Sequence, residues 1–90
     1  MLGYSVIQCD MRMAAHRRLS EIKGRLKESE NKNDVVKFEY MYVGYLMACQ
    51  ELEIFSDDEV GEMTEWIHLF ADMKDRELRL KEQMRKYENE

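Results

Sequence analysis

Apolar residues recur along most of this chain in steps of three and four, the spacing that returns side chains to one face of an α-helix. Ile7, Met11, Ala15, Leu19, Ile22 and Leu26 form a first stripe of this kind. The residues VVKFEYMYVGYLMACQELEI carry two: Val35, Phe38, Tyr42, Tyr45, Cys49 and Leu52 on one face, and Val36, Tyr40, Val43, Met47 and Ile54 on the other. A helix apolar on two faces is expected in the middle of a bundle, buried on both sides. The alternation of Lys37 and Glu39 with Phe38 and Tyr40 also suits a strand, but the apolar run is long for one. A third segment holds Met63, Trp66, Phe70, Met73, Glu77, Leu80, Met84 and Tyr87 in a repeat broken only by Glu77, a seam that ordinarily packs on another helix.

Boundary signals divide these patterns into three helices. Ser56 and Glu59 form a capping box flanked by Phe55 and Val60 in staple positions, which starts a helix at Asp57. A weaker version at Ser5 and Gln8, with Tyr4 and Cys9 flanking, starts the first helix near Val6. The polar break ESENKND offers Asn31 or Asn33 as a cap for the second. With no proline and four glycines the chain lacks the turn punctuation of an all-β domain. The expected fold is an all-α, three-helix up-down-up bundle, with helices at about 5–29, 34–54 and 57–88. Gly44 is expected to let a neighbouring helix approach closely.

At 1.5 Å per residue the second helix spans about 30 Å and the third about 47 Å. The third therefore overshoots, and residues 78–90 are expected to protrude as a helical extension from a single domain over 1–90. Favourably ordered acid-base pairs, Asp72/Arg76, Asp75/Arg79, Glu77/Lys81 and Glu82/Lys86, support that end without deep burial. Arg17 has Glu21 four residues on as its local partner. The seam residues Met73, Leu80, Met84 and Tyr87 are the expected oligomerisation contacts, and the chain is expected to be a homo-oligomer, most simply a dimer.

Charge changes the picture most. Between Lys37 and Lys74 there is no lysine or arginine for 36 residues, while nine carboxylates fall there. Seven of them, Glu51, Glu53, Asp57, Asp58, Glu59, Glu62 and Glu65, crowd around the turn between the second and third helices. The acids of the third helix's first turn favour its dipole, whereas Glu51 and Glu53 close the second helix where negative charge is unfavourable. This tip is the leading candidate to bind another protein with a basic surface, such as a nucleic-acid-processing enzyme, in the manner of an inhibitor or regulator from a phage or other mobile element. A competing surface is the basic stripe of the first helix, Arg12, Arg18, Lys23, Arg25 and Lys27, which could neutralise phosphates. Nucleic-acid binding is the weaker expectation, because the pI is about 5.1 and the third helix begins with acids.

Composition excludes other classes. Apolar residues at 44% and charged at 37% are far from the signature of disorder. The opening MLGYSVIQCDMR does not read as a signal peptide and no segment is apolar enough for a membrane span, so a cytoplasmic protein is expected. Cys9 and Cys49, both in apolar stretches, are expected to be free, buried thiols. His16 and His68 stand alone, no catalytic or metal-binding motif is present, and neither cofactor nor metal is expected. The expectation is a non-enzymatic interaction module.

Overall fold

The computed structural model describes the backbone of residues 2–88 and the side chains of residues 9–88. Three helices account for nearly all of it: α1 (Leu2–Lys27), α2 (Lys32–Glu51) and α3 (Asp57–Glu88). No strand occurs among the described residues, so the alternating start of α2 is helical. α2 is the central element, packed on both α1 and α3, which barely meet each other. The molecule is a rod of 68 × 19 × 15 Å. Its radius of gyration of 16.9 Å exceeds the roughly 12 Å of a compact domain of this length.

The capping chemistry sets the boundaries of α2 and the start of α3. Asn31 is the N-cap of α2, its side chain accepting the Asp34 amide at 2.9 Å. The Ser56 hydroxyl accepts the Glu59 amide at 3.2 Å, and the Ser56 amide donates to Glu59 Oε1 at 3.1 Å, completing the capping box. The first helix differs from expectation, because it begins at Leu2 and Ser5 lies within it rather than capping it. The side chains of Tyr4, Ser5 and Gln8 lie outside the described residues. α1 closes at Lys27, where the Ser29 amide bonds to the Leu26 carbonyl and its hydroxyl to the Arg25 carbonyl.

α2 ends at Glu51 rather than Ile54. The Ile54 amide donates to the Cys49 carbonyl at 2.8 Å and the Glu53 amide to the Gln50 carbonyl at 3.1 Å, the paired bonds of a Schellman closure. That closure needs a left-handed residue at its corner, and here it is Glu53, with φ of 59°.

Ala15, Leu19, Ile22 and Leu26 of α1 meet Val35, Tyr42, Leu46 and Cys49 of α2 and Val60, Ile67 and Ala71 of α3 in one core. Phe55 closes it at the turn between α2 and α3. Burial raises the pKa of the Tyr42 hydroxyl and of the Cys49 thiol. Cys9, by contrast, is exposed. The expected second apolar face of α2 is buried only in part: Val43 and Ile54 pack against the core, but Val36, Tyr40 and Met47 face solvent, Tyr40 at 73%. Only two helices flank α2, so its third side is left open. Gly44 has no close neighbour either, since a methyl group there would meet nothing within 4 Å.

α3 packs through a different stripe from the expected seam. Val60, Ile67 and Ala71 are buried, continued by the stem of Lys74 and the half-buried Leu78. Met63 and Phe70 reach the core edge, but Trp66, Met73, Leu80, Met84 and Tyr87 are exposed. From Arg79 to Glu88 every residue is exposed. Ion pairs along α3 join Arg76 to Asp72, Arg79 to Asp75, and Lys81 to Glu77. On α1, Glu21 pairs with Arg18 at 3.0 Å rather than with Arg17.

Candidate functional site: the acidic tip and the outer face of α3

At the tip, Arg12 reaches from α1 across to the start of α3. Its guanidinium donates to Glu59 Oε2 at 2.7 Å, to Glu59 Oε1 at 3.2 Å and to the Ile54 carbonyl at 2.8 Å, while lying 5.2 Å from the Phe55 ring centre. Such a two-pronged pair is stronger and more directional than an ordinary surface contact. The Arg12 bonds, followed by those from Ser56, hold the Glu59 carboxyl at about 2, and Glu59 raises the Arg12 pKa in return. The His16 ring packs 4.9 Å from Phe55.

This clamp divides the seven expected tip acids. Glu59 is spent on Arg12 and Ser56, and Asp57 accepts from Gln50 Nε2 at 2.8 Å. Glu51, Glu53, Asp58, Glu62 and Glu65 are exposed and make no ion pair among the described residues. Beside them an open groove of about 690 Å³ is floored by Ile54 and Phe55 and edged by Met11, Leu52 and Glu53.

The basic stripe of α1 is likewise partly committed. Arg12 serves the clamp, Arg18 pairs with Glu21, and the Lys23 ammonium sits 5.1 Å over the Trp66 ring. Arg25 and Lys27 alone of the five make no such contact among the described residues. His68 Nδ1 lies 2.8 Å from Glu39 Oε2 and ties α3 to α2. No group of three metal-ligating side chains occurs among the described residues, the tip acids included.

The most unusual surface is the outer side of α3. At 100° per residue, Trp66, Leu69, Met73, Leu80, Met84 and Tyr87 fall within an arc of roughly 60°, turned away from the buried stripe. All six are exposed, from 43% for Trp66 to 81% for Tyr87. The arc runs about 32 Å along the helix. Trp66 stacks on Phe70 at 5.2 Å, which fixes the indole at the edge of this face. The expected oligomerisation residues Met73, Leu80, Met84 and Tyr87 all lie on it. Trp66 belongs to the expected seam as well, whereas Leu69 becomes apparent only once the buried stripe of α3 is known.

Comparison with known protein families, characterised proteins and solved structures finds no match to this chain.

Proposed function

We propose that this protein is a non-enzymatic interaction module that self-associates through the outer face of α3. The observation that carries this reading is the row of six exposed apolar side chains on a helix whose core contacts lie on its other side. Single exposed apolar residues are common on soluble proteins, but a row of six along one helix face marks a surface that another protein covers. The stripe continues past Leu78, where α3 has no bundle neighbour of its own to cover it. Sedimentation of the full chain tests the proposal. The wild type is expected to associate with rising concentration, and the double variant Met73→Glu/Leu80→Glu to sediment as a monomer with unchanged helical circular dichroism. A wild type that stays monomeric at high concentration overturns it.

A second reading concerns the tip, where Glu53 holds a left-handed backbone beside Glu51, Glu62 and Glu65, which make no ion pair among the described residues. A residue type ill-suited to its backbone angle is a recurrent mark of a position kept for interaction. In this reading Glu51, Glu53, Glu62 and Glu65 dock on a basic protein surface, such as the nucleic-acid channel of a processing enzyme, and the protein acts as its inhibitor or regulator. Changing all four to lysine should abolish salt-sensitive capture of a basic protein while leaving helicity intact. Equal capture by both forms counts against the tip.

A further inference from the structure

The exposed row on α3 has an internal symmetry. From Trp66 it runs to Leu69, Met73 and Arg76 in steps of three, four and three, and from Glu77 it runs to Leu80, Met84 and Tyr87 in the same three steps. Read from either end, the order of spacings is identical. Because the order is the same in both directions, a reversed copy matches the row residue for residue, with the two copies related by a two-fold axis perpendicular to the helices.

Resting on the self-association reading, we propose that two copies pair through antiparallel α3 helices about an axis between Arg76 and Glu77. In this register Trp66 meets the partner's Tyr87, Leu69 meets the partner's Met84, and Met73 meets the partner's Leu80. At the centre Arg76 faces the partner's Glu77, and the symmetry makes that contact twice. Parallel pairing in register would instead set Arg76 against the partner's Arg76.

The charge along α3 favours the same orientation. Residues 57–72 hold six acids and no lysine or arginine, a net of -6, whereas residues 73–88 hold six bases and four acids, a net of +2. In this register residues 81–88, with three bases and two acids, lie along residues 65–72 of the partner, with two acids and no lysine or arginine, whereas parallel pairing sets each of these segments beside its like. Area is sufficient as well. Six side chains each presenting on the order of 100 Å² give roughly 600 Å² per copy, or roughly 1,200 Å² in a pair, the lower limit of stable interfaces. The register also gives the exposed end of α3, Arg79 to Glu88, a partner: it lies along the part of the other α3 that its own bundle supports.

Cysteine crosslinking tests the register directly, in a Cys9→Ser background because Cys9 is exposed. Leu69→Cys and Met84→Cys both alter exposed positions. Mixed and oxidised, they should yield a disulfide-linked dimer, while either alone should not, because positions 69 and 84 lie about 22 Å apart on one helix. A disulfide requires Cα atoms within roughly 7 Å. Self-linking of the Leu69→Cys variant alone would mean parallel helices and would overturn the register. So would a dimer by sedimentation that gives no crosslink from the mixture. A chain monomeric at every concentration would overturn the self-association reading and the register together.

Discussion

Replacing Glu53 by glycine should stabilise this protein. Glu53 turns the corner of the Schellman closure with φ of 59°, a region where a side chain costs roughly 1–2 kcal/mol and glycine costs nothing steric. Glycine gives back about 0.4–1 kcal/mol through the greater freedom of its unfolded chain. The glutamate also sets a negative charge beside the last carbonyls of α2, an exposed arrangement whose removal is worth about 0.3 kcal/mol. Together these give Glu53→Gly a gain of about 1 kcal/mol, or a Tm rise of roughly 4–8 °C for a domain of this size. Thermal and urea unfolding followed by circular dichroism measures it, with all variants at one concentration, since association would itself raise Tm. Glu53→Gln isolates the charge and should gain a few tenths of a kcal/mol, and Glu53→Ala, which keeps the strained angle, should not approach glycine. Equal stability of the glycine and alanine variants would refute the reasoning, because it would mean that position 53 is not held in the left-handed region.

Leu46 is fully buried at the centre of the bundle, so Leu46→Ala should cost about 2–5 kcal/mol in urea unfolding; a loss under about 1 kcal/mol would show that the three helices do not close around it. Glu59 makes stability depend on pH. Its folded carboxyl titrates at about 2 against an ordinary 4.5, so its contribution is fully present above about 4.5 and is lost as pH falls toward 2. Both partners are more than a third exposed, and solvent screening keeps the effect below that of a buried pair. The Tm gap between wild type and Glu59→Gln should therefore be widest above pH 4.5 and close by about pH 2; a gap independent of pH would remove the clamp as its cause.

Where structure depends on neighbours in sequence, it was legible. The Ser56–Glu59 box placed the start of α3 at Asp57, and the polar break with Asn31 or Asn33 as its cap placed the start of α2 within two residues. The end of α2 was not legible, because glutamate does not announce a left-handed corner as glycine or asparagine does. The core side of α3 was hidden by its composition. It uses Ala71 and the stem of Lys74, while the larger Trp66, Met73 and Leu80 make the more conspicuous repeat on the exposed side. At the tip the excess of acid was plain, but the use of Glu59 by Arg12, 47 residues away, has no local signature. Arg12 therefore read as part of a phosphate-binding stripe when it belongs to the tip.

The near-absence of direct packing between α1 and α3 shapes how the chain reaches this structure. Almost every tertiary contact joins helices adjacent in sequence, a low contact order, so each hairpin can form on its own before the rod is complete and folding should be fast. Two cations then span the first and last helices: Arg12 to Glu59 at one end, and Lys23 over Trp66 further along. Removing either tie should speed the parting of α1 from α3 more than it slows folding, because these contacts join the elements most distant in sequence and form last. Two of the five side chains in the basic stripe are, kinetically, latches on α1.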